Sequence, residues 1–432
     1  MDSIWTRTAD MPSFTPLEGD LKTDALVVGG GMAGLLCAYW LNRAGVDCAL
    51  VEAGRLCGGV TGNTTAKLTF QHGLLYARLL REFGPERARL YLEANRGALG
   101  RFRELCREID CDFEEQDAYV YALSDRRKLD RELEALERLG FRAEFVRTPA
   151  LPVSTAGAVK FPKQARFHPL KFAAAIAGGL RIYENTKVLE LAPGRAVTNR
   201  GTVRAEHIIL ATHFPLLNKH GAYFLKLYQH RSYVLALKHA PAAGGMYVDE
   251  GERGLSFRDE KGLLLLGGGG HRTGKKGGGW RELEDFAKRY YPQAEIAARW
   301  AAQDCMTLDG VPYAGLYSRG TRGLYVAAGF NKWGMTSSMA AALLLADLVR
   351  GRENPYAELF SPSRSVLRPQ LAANAWESTL GLLTPTAPRC PHMGCALKYN
   401  PQEHSWDCPC HGSRFGENGE LLDNPATDDK RM

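Results

Sequence analysis

The chain has 432 residues, which is too long for one ordinary hydrophobic core, so two or three domains are expected. Hydrophobic residues make up 45% of the chain and charged residues 24%, which are the proportions of an ordinary globular protein. The formal net charge of +7 is mild for this length, and because the Lys and Arg residues are dispersed next to acids, the pattern argues against a nucleic-acid-binding surface.

The N-terminal region carries no targeting signal that the sequence reveals. Residues 1–20 contain four acids and no apolar core, so no secretory signal peptide is predicted. The longest apolar helical stretch, around 339–345, stops at Asp347 and is too short to span a bilayer. A cytoplasmic location is therefore expected. Of the ten cysteines, four cluster near the C-terminus, and the other six are scattered along the chain and are expected to be buried free thiols.

Residues 24–52 carry the strongest local pattern in the chain. The apolar run 25–28 predicts a buried parallel strand, 32–44 predicts a helix, and 48–51 predicts a second strand. The helix follows a G-x-G-x-x-G turn and would present its positive end to a phosphate.

Each glycine of that turn has a physical task. Gly29 allows the tight turn, Gly31 lets the backbone approach a pyrophosphate, and Gly34 lets the helix pack closely on the strand. Glu52 ends the second strand, where a carboxylate accepts hydrogen bonds from a ribose hydroxyl. The spacing predicts a dinucleotide site but does not distinguish FAD from NAD.

The middle of the chain predicts a second domain. Residues 53–73 are rich in Gly and Thr and predict a loop near a ligand, whereas 74–140 shows helical spacing throughout. Further on, the patterns predict a helix at 169–180, strands at 183–190 and 203–210, and a sheet between 228 and 266. The glycine runs 267–270 and 277–279 predict a mobile loop.

A second strand–turn–helix unit follows near residue 324. The strand 324–328 and the helix 336–349 are joined by a glycine turn, 329–335, which again aims a helix N-terminus at a ligand. Four segments carry a resemblance to a known family: VVGGGMAG with Glu52, the turn Ala-Thr-His at 211–213, WAAQD…DGVPYAGL from Trp300, and GFNKWGMT. Through them the chain resembles the FAD-dependent oxidoreductases of the D-amino-acid-oxidase-like (glycine/sarcosine oxidase) superfamily.

The resemblance covers about residues 22–350 and favours FAD over NAD. It implies an α/β fold in which a Rossmann-like FAD-binding domain (1–78, 166–212 and 300–350) is interleaved with a mixed-sheet substrate domain (79–165 and 213–299). The residues that it implies for FAD binding come from the glycine turns and the loops beside them: Gly29, Gly31, Met32, Ala33, Gly34, Glu52, Ala53, Arg55, Thr61, Gly62, Thr64, Thr65, Lys67, Val188, Ala211, Thr212, Asp309, Gly329, Phe330, Asn331, Lys332, Trp333, Gly334, Met335 and Thr336.

The activity implied by this resemblance is oxidation of the C–N bond of a small amine or amino acid, with hydride transfer from the substrate carbon to the flavin. Candidate pocket residues on the substrate domain are Tyr228, Arg231, Tyr233 and His271, although ordinary strand and loop positions explain each of them equally well. The sequence identifies no general base.

Residues 390–416 form a second motif, CPHMGCALKYNPQEHSWDCPCHGSRFG. Its Cys-x-His and Cys-x-x-His pairs have a spacing that suits zinc. The fuller text resembles the Rieske [2Fe–2S] motif, in which two Cys bind one iron and two His bind the other. That resemblance implies Cys390, His392, Cys408 and His411 as ligands, and a disulfide between Cys395 and Cys410. Zinc and an empty remnant of the motif remain alternatives.

The whole chain looks like a short-tailed Rieske-domain FAD oxidoreductase. Residues 351–389 are expected to form a linker, and 390–432 a shortened cluster segment without most of the usual supporting barrel. The cluster would then accept electrons from the flavin and pass them to an acceptor protein or a quinone. The alternatives are a flavin–Rieske electron-transfer protein fed by a partner, and an oxidase that uses oxygen beside a non-functional Rieske remnant.

Overall fold

The computed structural model describes residues 3–216, 221–251, 254–385 and 388–430. Helices in this part of the chain are α1 (Met32–Arg43), α2 (Tyr76–Leu105), α3 (Arg126–Arg138), α4 (Pro169–Ala177), α5 (Tyr223–Lys226), α6 (Gly279–Tyr290), α7 (Gly334–Val349), α8 (Ala357–Phe360) and α9 (Pro369–Leu383). Within the described helices, none has both the length and the apolar character that a membrane crossing requires.

The strands form three separate sheets. They are β1 (Leu21–Val28), β2 (Cys48–Val51), β3 (Lys67–Leu68), β4 (Glu114–Ala122), β5 (Glu144–Val146), β6 (Gly157–Arg166), β7 (Arg181–Tyr183), β8 (Val188–Ala192), β9 (Arg195–Thr198), β10 (Gly201–Leu210), β11 (Leu227–Lys238), β12 (Met246–Asp249), β13 (Ser256–Glu260), β14 (Leu263–Arg272), β15 (Glu295–Thr307), β16 (Tyr313–Leu316), β17 (Leu324–Ala328), β18 (Lys398–Asn400), β19 (Ser405–Asp407), β20 (Arg414–Gly416) and β21 (Leu421–Asp423).

The first sheet has the order β16-β17-β10-β1-β2-β7, with the β8–β9 hairpin attached to β10. Strands β17, β10, β1, β2 and β7 are parallel, and their buried residues are mostly apolar because helices cover the sheet. Helices α1 and α7 pack against each other, and Trp40 donates a hydrogen bond to Met339 Sδ at 3.1 Å. The predicted strand 183–190 is divided between β7 and β8, because residues 184–187 leave the sheet.

The second sheet has the order β15-β11-β14-β13-β12-β4-β6-β3, and β5 pairs with β6. Its strand β4 lies inside the segment that the sequence pattern predicts to be helical throughout, so that prediction is wrong for 114–122. The pattern fails there because β4 ends in a short aromatic and β-branched run, AYVYA, which pairs with both β6 and β12. Pairing with distant strands outweighs the helical spacing of the flanking helices.

The first glycine run, 267–270, was predicted to belong to a mobile loop, and it is instead part of β14. These glycines allow neighbouring segments to pack closely against β14. A Cβ at Gly268 would lie 2.6 Å from Leu255 Cδ2, and a Cβ at Gly269 would lie 2.2 Å from the Gly279 carbonyl oxygen. Strand β14 pairs with β11 and β13 on its two sides.

The C-terminal region contains α9 and a four-stranded antiparallel sheet with the order β18-β19-β20-β21. Helix α9 lies in the segment that the sequence analysis treats as a linker. It packs directly on the cysteine loops, since a Cβ at Gly381 would lie 2.6 Å from Cys410 Sγ. The small core beneath the sheet is made of buried residues from the motif and from the segment after β21: Cys390, Cys395, Leu397, Cys408, Cys410, Phe415 and Ala426.

Candidate functional site

A cavity of about 820 Å³ lies where the two larger sheets meet. This volume is near the upper end of the range for ligand pockets, about 300–1,000 Å³. Its wall includes both glycine turns, the loop after β2, and residues from β11 and β15. The carboxyl ends of β1 and β17 point to this edge of the first sheet, which is where open α/β sheets bind ligands.

The first turn is shaped for close backbone approach. Gly29 has φ +108°, and a Cβ there would lie 2.6 Å from the Ala211 carbonyl oxygen. A Cβ at Gly34 would lie only 1.8 Å from the Gly29 carbonyl oxygen. Gly31 precedes α1 and has no side chain to act as a cap; the Met32 N–H donates to Thr61 Oγ1 at 2.9 Å, and both residues line the cavity beside this helix end. The turn therefore fits the pyrophosphate of a dinucleotide.

The Glu52 carboxylate is fixed at the end of β2. Its two oxygens accept hydrogen bonds from the Gly30 N–H at 2.6 Å and the Gly54 N–H at 2.8 Å. Behind it, buried Glu184 accepts hydrogen bonds from the backbone of Leu56 and forms an ion pair with Arg55. The use of Glu184 in this loop explains why the predicted strand 183–190 breaks at that point.

The second turn is held by side-chain bonds. Asn331 has φ +51°, accepts a hydrogen bond from the Thr307 N–H at 2.8 Å and donates to the Gly329 carbonyl at 2.7 Å. Trp333 stacks on His72 with ring centroids 5.1 Å apart. These contacts fix the turn before α7, whose first residue again has no side-chain cap.

Most residues that the family resemblance implies for FAD binding line this cavity: Gly29, Gly31, Met32, Ala33, Glu52, Ala53, Arg55, Thr61, Thr64, Thr65, Lys67, Val188, Ala211, Thr212, Phe330, Asn331, Lys332, Trp333, Gly334 and Met335. Gly34, Gly62, Asp309, Gly329 and Thr336 lie behind the wall. Asp309 forms a two-point ion pair with Arg364, at 2.7 and 2.8 Å, and this pair holds the pKa of Asp309 below its usual range despite burial.

Three of the four candidate substrate residues lie on β11, and the fourth, His271, lies on the neighbouring strand β14. Tyr228 and Tyr233 line the cavity, whereas Arg231 and His271 do not. Arg231 forms an ion pair with Glu403 of the C-terminal region, and His271 Nε2 lies 3.0 Å from the Tyr233 hydroxyl. The structure thus places Arg231 against the C-terminal region and His271 beside Tyr233, and neither lines the cavity. Arg231 lies on the face of β11 opposite to Tyr228, because side chains alternate along a strand, whereas His271 belongs to β14.

The same alternation places three cavity residues that the sequence analysis did not single out. His230 and Ser232 line the cavity from β11, and Asp304 lies opposite on β15. The Ser232 hydroxyl donates to Asp304 Oδ2 at 3.1 Å. Period-two spacing from Tyr228 onward is the signal that could have identified them.

Lys67 is a half-buried cation of this wall. Its ammonium donates to Thr65 Oγ1 at 3.1 Å. Burial, and then the positive charge of Arg258, lower the pKa of Lys67 to about 7. A substantial fraction of this amine is therefore uncharged at neutral pH.

The cysteine motif folds into two similar loops. In the first, the Cys390 N–H donates to the Cys395 carbonyl at 2.8 Å; in the second, the Cys408 N–H donates to the Ser413 carbonyl at 2.8 Å. The sulfur atoms of Cys395, Cys408 and Cys410 lie within 4.8 Å of one another. All four cysteines of the motif are thiols in the structure, so the Cys395–Cys410 disulfide stays a prediction.

The two histidines of the motif face each other, with ring centroids 5.0 Å apart and planes at 84°. Burial lowers the pKa of His392 to about 4 and that of His411 to about 3, so both rings are neutral, as metal ligands are. The buried ring nitrogens of His411 form no hydrogen bond of good geometry with described residues. These neutral imidazoles, together with the Cys390 thiol hydrogen-bonded to that of Cys408, fit a cluster with mixed Cys and His ligands.

The cluster loops pack on the flavin side of the molecule. The ring centroid of Phe214 lies 6.4 Å from that of His392, and Phe224 lies 6.1 Å from His411. Gln303 of β15 donates to the Gly412 carbonyl at 2.8 Å. The cavity and the cysteine loops are thus neighbours.

Buried charges fasten the C-terminal domain to the second sheet. Glu403 accepts hydrogen bonds from Arg231 and from Arg414, and Arg414 also pairs with Asp407 and Asp423, each at 2.9 Å. Burial raises the pKa of Glu403, but Arg231 and Arg414 more than offset it and hold that pKa below its usual range. The Tyr233 hydroxyl, at the edge of the cavity, also donates to Glu403 Oε1 at 2.9 Å, and we call Arg231, Tyr233 and Glu403 the docking cluster.

Comparisons with known proteins agree with this geometry. Residues 24–348 match the family model "FAD dependent oxidoreductase", and residues 375–431 match the model "Rieske [2Fe-2S] domain". The second match begins inside α9 and favours a [2Fe–2S] cluster over zinc.

Relatives extend over nearly the whole chain. A Bacillus subtilis protein named as a Rieske 2Fe-2S iron-sulfur protein, YhfW, is 34% identical over 98% of this chain and 96% of its own length. The γ-glutamylputrescine oxidoreductase of Escherichia coli is 26% identical over 78% of this chain and 86% of its own length. The crystal structure of glycine oxidase from Geobacillus kaustophilus, at 24% identity, matches 80% of this chain and 100% of its own with a TM-score of 0.66, and shows the same fold. This chain therefore belongs to the FAD dependent oxidoreductase family and carries a C-terminal Rieske domain, so its cofactors are FAD and a [2Fe–2S] cluster.

Proposed function

We propose that this enzyme oxidises the C–N bond of a small amine or amino acid in the cavity beside β11, and that the electrons pass to the Rieske cluster within the same chain. FAD supplies the acceptor for the two electrons of the substrate, and the cluster accepts one electron at a time. We assign Cys390, His392, Cys408 and His411 as the cluster ligands. The amine class is supported by the relative that acts on γ-glutamylputrescine and by the glycine oxidase fold.

One observation carries the electron route. Thr212 and His213 line the cavity, and the next residue, Phe214, has its ring against His392. Asn424 of the Rieske domain donates to the Thr212 carbonyl at 2.6 Å, which holds this connection in place. A single short segment thus joins the cavity wall to a cluster ligand.

The residues around the cavity have distinct tasks in this proposal. The glycine turns and Glu52 bind the dinucleotide, and the wall of β11 and β15 orients the substrate carbon. An alkylammonium has no free electron pair, so it must lose a proton before its C–N bond is oxidised. Lys67, with its pKa near 7, is suited to accept that proton.

An anaerobic screen tests this function. Purified enzyme is mixed with amines and amino acids without oxygen, and flavin absorbance is followed together with the EPR signal of the reduced cluster. The proposal predicts that one substrate bleaches the flavin and that the cluster signal then appears. A Cys408→Ser variant is the matched control, in which the flavin should bleach without a cluster signal.

The alternatives give different results in the same screen. An electron-transfer protein fed by a partner would show no bleaching with any small amine, and only a reduced partner protein would bleach it. An oxidase with a non-functional Rieske remnant would bleach with substrate, leave the cluster region EPR-silent and release hydrogen peroxide in air.

A further inference from the structure

Arg272, the last residue of β14, joins the cavity wall to the second cluster loop. Its guanidinium donates to the carbonyl oxygens of Pro409 and Cys410, each at 3.3 Å. These two residues lie between the predicted ligands Cys408 and His411. Two donors of one planar group on consecutive carbonyls restrict the loop in both position and orientation.

The guanidinium is itself held from two further directions. Its Nη1 donates to Asn374 Oδ1 of α9 at 2.9 Å, and Asn374 is buried. The guanidinium carbon lies 5.0 Å from the ring centroid of Tyr228, whose side chain lines the cavity. Arg272 does not line the cavity itself.

The charge of Arg272 stays in place because guanidinium does not lose its proton in proteins. Burial lowers the pKa of Arg272 from a very high starting value, so the group remains a cation at any physiological pH. A fixed cation in a partly desolvated site interacts more strongly with nearby charge than one in water does. The cluster gains one negative charge on reduction, so a neighbouring cation stabilises its reduced form.

We propose that Arg272 is a positioning residue that fixes the second cluster loop and raises the reduction potential of the Rieske cluster. The inference rests on the proposed function only in assuming that the motif binds the cluster. Proteins set the reduction potential of an iron–sulfur cluster through nearby charges and through hydrogen bonds around the cluster. Arg272 thereby favours electron movement from the flavin to the cluster, in which the flavin loses one electron and the cluster gains it.

The test compares Arg272→Gln and Arg272→Lys by redox titration of the holoenzyme with dithionite and mediators, read by EPR. The midpoint potential of the cluster should be lower in Arg272→Gln than in the wild type, while Arg272→Lys, which keeps the charge, should stay near the wild type. Lys276→Gln removes the same charge at an exposed position nearby and should leave the potential unchanged. Equal potentials in wild type and Arg272→Gln would overturn the proposal.

Cluster loss gives an equally clear result. If Arg272→Gln loses iron and Arg272→Lys retains it with wild-type g values, the cation is required at this position and the proposal stands. If both variants lose iron, the bidentate shape alone matters, and the electrostatic part is refuted. Because chemical reductants supply the electrons, a failure of substrate-driven reduction would count against the proposed function and leave this measurement intact.

Discussion

The flavin side and the docking cluster both use residues of β11, but they are built from different kinds of contact. The cavity side depends on backbone: glycines without room for a Cβ, and the helix N-termini that follow the two glycine turns. The docking side depends on buried charges, with Glu403 shared between Arg231 and Arg414. The glycine turns of the cavity side are each encoded within a few consecutive residues. The docking cluster instead joins Arg231 and Glu403, which are 172 positions apart in the sequence.

The largest effect is expected from removing the shared acid of the docking cluster. Glu403→Ala leaves the buried guanidinium groups of Arg231 and Arg414 without this partner, and breaking a buried pair in this way costs about 3–5 kcal/mol. Limited proteolysis should then cleave before the Rieske domain, and substrate-driven reduction of the cluster should slow. Glu417→Gln changes an exposed acid of the same domain and should behave as the wild type; equal resistance of Glu403→Ala would contradict the docking role.

A second variant separates charge from proton transfer in the cavity. Lys67→Met should lower kcat/KM by about 100-fold, the lower range for a lost general base. In the wild type, kcat/KM should rise with pH through about 7, because Lys67 must be uncharged to accept a proton. Lys67→Arg keeps the charge but not the base and should match Lys67→Met. Wild-type activity in Lys67→Arg would show that only the charge matters.

A third variant tests the close backbone packing of the cavity side. Gly34→Ala places a Cβ 1.8 Å from the Gly29 carbonyl oxygen, so the helix must shift. The free energy of unfolding should fall by about 1–3 kcal/mol, and the purified variant should contain less bound FAD. Gly97→Ala in α2 is the matched control, since a Cβ there meets nothing within 4 Å and helix propensity favours Ala. Thermal unfolding and FAD content measure both. Equal FAD content in the two variants would refute the packing argument.

The smallest effect is expected at Glu52. Glu52→Gln keeps the shape but weakens two charge-assisted hydrogen bonds and the ribose contact, so FAD affinity should fall by roughly 1 kcal/mol, about fivefold. Isothermal titration of the deflavinated protein with FAD gives the value. The exposed Glu18→Gln variant should titrate like the wild type, and the same result for Glu52→Gln would remove the ribose assignment.

The features that sequence reasoning predicted well are the local ones. The strand–turn–helix unit from β1 to Glu52 can be predicted from consecutive residues. Its turn has no room for a Cβ, so only glycine fits there, and the glycine spacing is visible in the sequence. The two cluster loops are likewise readable from their own spacing. Strand β2 begins and ends where the pattern predicted it.

Long-range contacts account for what was missed. From the sequence alone Arg231 was interpreted as a pocket residue, whereas in the structure it forms an ion pair with Glu403. No local sequence pattern predicts that pair. Strand β4 and the glycines of β14 are likewise defined by the strands on either side of them. The interleaved domain boundaries also stay a prediction, and β15, which spans 295–307, crosses the one predicted near residue 300.

The most direct test of the account is rapid anaerobic mixing with the bleaching substrate, followed by freezing and EPR at successive times. Intramolecular transfer predicts that the cluster signal grows after the flavin is reduced, at a rate independent of protein concentration. The Glu403→Ala variant should slow this step without changing flavin bleaching. A cluster that stays oxidised while the flavin is fully reduced, or that fills at a rate proportional to protein concentration, would contradict electron transfer within one chain.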